Sequence, residues 1–382
     1  MWRIAHAPGR RIRTPGRVGA RGEASGLGAL KGIKRAALRS LKTAGAFRLV
    51  GGSNWRRRRL LILTYHGVSL DDEHLWRGAL YVSPETFRSR MSALKRCGAS
   101  VLPLGEAVQR LYANDLPERA VAITFDDGTY DFHARAHPVL AEFGFPVTLY
   151  LTTFYTEFNR PVFDPFCSYL LWKGRGASLD LKEVIGTGAR VELSDDAARA
   201  SALSALRGFA AERRLSAEEK DELLRSVARG AGVDYEELAA RRVLHLVNPE
   251  EVRELAAAGV DIQLHTHRHR TPNVRELFRR EIDDNRAVLQ RLTGRDPSHF
   301  CYPSGVYERA FLPWLAEAGV RTATTCDTGY ATRESEPLLL PRLLDVSSLS
   351  DLEFEGWLTG VSAALPLRRE ATTGVAAGGR YA

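Results

Sequence analysis

The chain predicts an α/β barrel in which parallel strands alternate with helices. Three observations carry this. Short apolar or β-branched runs at 60–65, 121–125, 147–151, 260–264, 299–302, 321–325 and 338–344 recur along the 382 residues, with the length and composition of buried strands. Amphipathic stretches with cap signals separate most of them. Polar clusters follow four of these runs directly, as expected when the loops after parallel strands converge on one face. Alternation implies right-handed crossovers, and at least six such units favour closure into a barrel over an open doubly wound sheet.

The first 59 residues differ from the rest. They hold sixteen Lys or Arg against one acid, Glu23, so the chain's formal charge of +8 leaves the remainder net negative. The positive excess belongs to an arm, residues 1–57, and an anionic partner would meet that arm. Residues 1–26 are rich in Gly, Arg and Pro, the composition of a disordered segment or of a transit peptide. From 27 to 47, Leu27, Leu30, Ile33, Leu38, Leu41 and Ala44 recur at helical steps, and Lys31, Lys34, Arg35, Arg39 and Lys42 mostly fill the other side. This basic amphipathic helix either lies on an anionic membrane surface or packs on the body. No apolar segment follows Arg10-Arg11 as a signal peptide requires, and no run of about 18 apolar residues occurs. Cys97, Cys167, Cys301 and Cys326 form no CxxC pair. The expectation is a cytoplasmic protein with reduced thiols, peripheral at the inner membrane face if the arm binds lipid, with no nucleic-acid partner.

The main domain is expected over 58–350. Residues 60–65 form its first strand and end in His66-Gly67. Ser83, Pro84 and Gly98 bracket a helix with Phe87, Met91 and Leu94 on its buried side. Strand 121–125 leads into Asp126-Asp127-Gly128 and a helix over 131–143 that Gly144 ends. After strand 147–151 the alternation breaks. Residues 155–245 read as a mainly helical insertion, with runs at 196–213 and 217–229, the second opened by a Ser216/Glu219 capping box. Asn248, Pro249 and Glu251 restart the pattern with another box. Strand 260–264, helix 273–292, strand 299–302, helix 307–318 and strands 321–325 and 338–344 complete it, and 351–382 reads as a C-terminal tail.

Asp126 and Asp127 are adjacent like charges at a strand end. They conflict unless a cation serves them or one acid works as a base. His265 and His269 stand four apart and face one way if their loop coils into a helical turn. With one carboxylate they make a site of two imidazoles and one aspartate that leaves positions open for water and substrate. Such ligands suit zinc, and also cobalt, nickel or iron. In an extended segment His265, His267 and His269 share a side, and His265 with His267 would begin a different metal amidohydrolase site. Spacing does not choose between the pairs. Arg342, late in the barrel, either sits near the site or, on the simpler reading, lies at the surface; Trp76, Tyr130 and Trp314 either stack on sugar rings or, more simply, pack in the core and against helices.

Thr124-Phe125-Asp126-Asp127-Gly128 and His265-Thr266-x-x-His269 resemble the first two motifs of the NodB-homology polysaccharide deacetylases, carbohydrate esterase family 4. Leu63-Thr64-Tyr65-His66-Gly67-Val68 is similar to a strand of bacterial members, and Phe300-Cys301-Tyr302-Pro303-Ser304-Gly305 resembles the third motif. The likeness spans roughly 58–154 and 243–345. It implies a distorted (β/α)7 barrel, here with a mainly helical insertion and a basic N-terminal arm. It implies a metal-dependent hydrolase that removes acetyl groups from a glycan or amino sugar, cutting non-peptide carbon–nitrogen or ester bonds. By motif, Asp126 is the base that activates a metal-held water, and Asp127, His265 and His269 are the ligands of a divalent metal, zinc first. The backbone N–H of Ser304 is the oxyanion donor, with Tyr302, Pro303 and Gly305 as substrate contacts. Two features depart from the pattern. Members often carry an Arg where this chain has Cys301, which leaves the partner of the base open. Many use a C-terminal His as general acid, and no His follows His299; His66, at the end of the first strand, is the candidate substitute. Without an acid, the alternative is a catalytically weak carbohydrate- or membrane-binding relative.

Overall fold

Seven parallel strands close a barrel and follow one another around it in chain order. They are β1 Leu61–Tyr65, β2 Ala120–Phe125, β3 Thr148–Leu151, β4 Asp261–Leu264, β5 His299–Cys301, β6 Thr322–Thr328 and β7 Leu340–Leu344, and β7 pairs back onto β1. The computed structural model describes residues 20–364. The disorder expected for residues 1–19 and the tail beyond 364 lie outside the described residues. The expected distorted (β/α)7 barrel is present, and its distortion has visible sources. β2 pairs with β3 only at Thr124 and Phe125, while a short extra strand, Ser100–Val101, pairs with the start of β2. β4 and β5 pair only at Leu264 and Phe300. Beside that pair the Gln263 side-chain oxygen accepts from the N–H groups of Ser298 and His299, each at 2.8 Å, so a side chain replaces the missing ladder bonds.

Side chains of a strand alternate between faces, and each face here has its own core. Leu61, Leu63 and Tyr65 of β1 and Val121, Ile123 and Phe125 of β2 join an apolar shell with Phe87 and Met91 of helix Pro84–Arg96 and Phe278 and Ile282 of helix Arg275–Thr293. Ile62, Ala120, Ala122, Tyr150 and Leu340 form a second cluster with Leu104, Val108 and Leu111 of helix Leu104–Ala113, which plugs the lower mouth. Sequence reasoning did not anticipate that helix. Its Gly105 packs closely under β5: an added Cβ would lie 3.0 Å from His299 Nε2 and press on that ring.

The insertion carries five helices, Phe163–Lys173, Leu181–Ile185, Asp196–Glu212, Ala217–Gly230 and Tyr235–Ala240, around a separate core that includes Phe166, Leu170, Leu206, Leu224 and Val227. The Ser216/Glu219 box forms as expected. An antiparallel hairpin, Ser178–Asp180 with Arg190–Glu192, was not expected.

Both ends of the chain depart from the sequence reading. The arm helix runs Ala20–Thr43, so residues 20–26 are helical, and it stops short of 47 because left-handed Gly45 opens a separate helix, Ala46–Gly51. Residues 351–364 are not a tail. Helix Asp351–Thr359 opens with a Ser350/Glu353 capping box and buries Phe354, Trp357 and Leu358. The arm docks on it through buried Leu38 and Phe47, half-buried Leu41, and ion pairs Lys34–Glu353 at 3.0 Å and Lys42–Glu355. Of the apolar stripe, Leu38 is buried and Leu41 half-buried while Ile33 stays 66% exposed, and the expected membrane contact through the arm finds no support. Among the described residues no helix is long and apolar enough to cross a membrane.

Candidate active site

The inward alternation that places Ala120, Ala122 and Thr124 inside the barrel continues one step to Asp126, whose N–H donates to Tyr65 O at 3.0 Å. Asp126 is 2% exposed and meets Arg342 of β7, 1% exposed, in a two-pronged pair: Nη1 to Oδ1 at 2.7 Å and Nη2 to Oδ2 at 2.8 Å. Arg342 also donates to Thr64 Oγ1 at 2.9 Å and Thr325 O at 2.9 Å, so its planar fork is fixed on several sides. Burial pushes the Asp126 carboxyl up, but Arg342, with His66 and His265 beside it, outweighs that and holds the group below the usual carboxylate range. The guanidinium is pushed well up in turn, because Asp126 more than offsets its own burial. The reading of Arg342 as a surface residue is therefore corrected: it is the partner of Asp126 that Cys301 could not be. Cys301 Sγ lies beside both, 3.5 Å from Asp126 Oδ2 and 3.2 Å from Arg342 Nη2.

Asp127 turns out of the strand. Its φ is 69° and that of Gly128 is 84°. A Cβ on Gly128 would lie 2.1 Å from Leu151 Cδ1, so only glycine follows Asp127 here. The turn carries Asp127 Oδ1 to 3.0 Å from His265 Nε2 and 3.1 Å from His269 Nε2. These three residues form a donor cluster with ligand atoms within 4.8 Å of one another. His265 Nδ1–H donates to Cys301 O at 2.8 Å, which turns the Nε2 lone pair toward Asp127. That lone pair and the Asp127 carboxylate oxygen, 3.0 Å apart, repel unless a cation lies between them, and His269 Nε2 meets the same oxygen. The residues therefore fit a divalent metal, with His265 oriented from behind as metal-bound imidazoles are. In the protein alone, burial pushes Asp127 up, but the two histidines beside it hold it well below the usual range. Burial pushes His265 down, and Asp127 more than offsets that.

The histidine loop is neither the helical turn nor the extended segment that the spacing left open. It kinks through left-handed Thr266, φ 62°, and His269, φ 54°, and Thr266 Oγ1 accepts from Arg270 N–H at 3.0 Å. His267 is directed elsewhere, with Nδ1 2.9 Å from Thr153 Oγ1 and its ring edge-on to Phe154. The geometry thus pairs His265 with His269 and removes the alternative built on His267.

His66 faces the same site. Its Nε2 lies 3.8 Å from Asp126 Oδ2, its Nδ1 is buried without a hydrogen-bond partner, and burial pushes its pKa down. The third motif is only partly at the site. Tyr302 belongs to the outward alternation: its ring packs on Phe300 and Tyr307, and its hydroxyl donates to Leu338 O at 3.1 Å. A substrate contact through that ring is excluded. Pro303, Ser304 and Gly305 form a tight turn in which exposed Ser304 has φ 55°. Gly305 is needed there because its Cβ would meet Cys326 Cβ at 2.7 Å. Tyr130 lies under Arg242, Trp76 packs on Tyr169, and Trp314 packs on Phe278 and Phe311.

Residues 113–174 and 216–323 match a family model described as polysaccharide deacetylase. Asp126, Asp127, His265, His269 and Ser304 lie within the match; His66 and Arg342 lie outside it. YxkH of Bacillus subtilis (strain 168), assigned by name to the polysaccharide deacetylases, is 34% identical over 94 residues, 24% of this chain and 32% of its own. The match thus spans about a third of that relative. Among solved structures, Streptococcus pyogenes deacetylase PplD in complex with acetate superposes with a TM-score of 0.51 at 18% identity, covering 77% of this chain and 96% of its own. IcaB from Ammonifex degensii gives 0.50 at 17%, covering 79% and 97%. These two likenesses establish the shared fold.

Proposed function

The barrel of this chain belongs to the polysaccharide deacetylase family, and from that premise we propose that the protein hydrolyses acetyl groups from a glycan or amino sugar with the help of a divalent metal. One observation carries the reading: two adjacent carboxylates have opposite commitments, Asp127 to two histidines and Asp126 to an arginine. That division separates a metal ligand from a base.

Asp127, His265 and His269 would hold the ion. When bound, a divalent cation lowers the pKa of a water and polarises the acetyl carbonyl. Asp126, kept ionised and aimed by Arg342, takes a proton as water oxygen attacks the acetyl carbon. The Ser304 N–H, presented by its left-handed turn, serves the developing oxyanion. As the bond to the sugar nitrogen or oxygen breaks, the leaving atom needs a proton. His66, 3.8 Å from Asp126, is placed to carry the proton that Asp126 took. Burial keeps His66 neutral at rest, which suits a group loaded during turnover.

The test is an acetate-release screen over N- and O-acetylated sugars with added zinc, cobalt or nickel. Release that requires metal and is lost in Asp127→Ala supports the reading. No release from any acetylated glycan by metal-loaded protein would leave the catalytically weak relative in its place.

A further inference from the structure

Helix Arg275–Thr293 presents two buried polar residues toward the histidine loop, on a helix whose other buried residues include Phe278, Ile282, Leu289 and Leu292. Glu281 is 1% exposed and Asn285 is fully buried. Residues four apart on a helix share a face, about 6 Å apart along its axis. Asn285 Oδ1 accepts the N–H of His265 at 2.9 Å, while its Nδ2 donates to Leu151 O at 3.0 Å and Thr153 Oγ1 at 2.9 Å. It thus ties the end of β3 to the residue after β4, where the ladder between them stops at Leu151 and Leu264. Glu281 holds both neighbours of His269: its Oε2 accepts the N–H of Arg268 at 2.8 Å, and its Oε1 accepts from Arg270 Nε at 2.8 Å.

We propose that Asn285 and Glu281 are positioning residues for the metal centre, each anchoring the loop segment of one histidine ligand from the same helix. The loop needs such anchors. Thr266 and His269 both sit in the left-handed region, which disfavours a non-glycine residue and persists only where surroundings enforce it. Released from its anchors, the loop relaxes, and His265 and His269 no longer converge on Asp127. A buried polar pair serving stability alone would affect melting and leave the affinity of the folded site unchanged.

This inference rests on the metal reading above, and one titration separates the two. Full-length protein, stripped of metal, is titrated with Co(II) and followed by visible absorption and calorimetry. In Asn285→Leu, which keeps volume and removes the hydrogen bonds, Co(II) affinity falls about 10–100-fold, the usual effect of removing a group that orients a ligand. Glu281→Gln keeps an acceptor for the Arg268 N–H and loses less than Glu281→Leu. Should Asn285→Leu not fold, Asn285→Asp, which keeps the acceptor for His265 but loses both donors, and the Glu281 pair carry the same test. Folded variants that bind Co(II) with wild-type affinity overturn the proposal alone. Failure of the wild type to bind Co(II) overturns it together with the metal reading.

Discussion

The two ends of the barrel are built from the same strands and behave differently. At the lower end the inward residues are Ile62, Ala120, Ala122 and Leu340, sealed by Leu104, Val108 and Leu111. At the upper end the same alternation presents Thr64, Thr124, Asp126 and Arg342, all buried and all polar. The lower end gains stability by removing apolar surface from water, about 25 cal/mol per Å². The upper end gives up that gain and adds left-handed residues at Asp127, Thr266, His269 and Ser304. What it receives is a set of aimed polar groups that water cannot screen. The lesson is that fold and chemistry divide along the strand axis, so substitutions at the two ends should separate stability from turnover.

The largest effect is expected at the upper end. Arg342→Met strands the Asp126 carboxylate without its partner, and breaking one side of a buried pair costs about 3–5 kcal/mol. Urea unfolding measures this, and turnover is lost with it. A cost below about 1 kcal/mol would mean the pair behaves as a solvated one and would break the comparison. Next comes Leu111→Ala in the floor, expected to cost about 2–5 kcal/mol while turnover per folded molecule stays at the wild-type value. A loss of turnover there would tie the two ends together.

A smaller effect sharpens the contrast through pH. Burial pushes Asp131, whose Oδ2 accepts Val68 N–H at 2.7 Å beside His66, up to about 7. Between about pH 4 and pH 7 the folded chain keeps a proton that the unfolded chain, with its ordinary aspartate near 3.9, has released. Stability therefore falls as pH rises through that window. Asp126 runs the other way: its contribution is present above the ordinary value and is lost as pH falls through its depressed folded pKa. Denaturant unfolding of Asp131→Asn across pH should show the fall between about pH 4 and pH 7 reduced. An unchanged slope would assign it to other groups, such as Asp345, which burial pushes up to about 6.

Much of this contrast was legible beforehand. Strand runs and caps located the barrel, and polar clusters at strand ends located its working face. Arg342 was not legible, because a guanidinium in Leu-Pro-Arg-Leu-Leu looks like an exposed strand position, and its partner lies 216 residues away. The loop shape at His265–His269 stayed open between a helical turn and an extended segment, because spacing of four is also met by a kinked loop held from outside. Helix Leu104–Ala113 escaped because Pro103 and Gly105 break its local signal, while its purpose, closing a barrel, is visible only in three dimensions. The Ser350/Glu353 box was in plain view and marked a helix where a tail was expected. Asn285 and Glu281 sit in a polar helix whose buried side the sequence does not reveal.

The central claim is that Asp126 and Asp127 divide base from ligand, and Asp126→Asn tests it most directly. Asparagine keeps the shape and an acceptor for Arg342 while removing the charge. Metal content and acetate release are measured on the same wild-type and variant preparations. The expected result is about one divalent ion per chain in both, with turnover in the variant lower by about 10²–10⁴-fold. Full turnover in Asp126→Asn, or loss of its metal, would contradict the division.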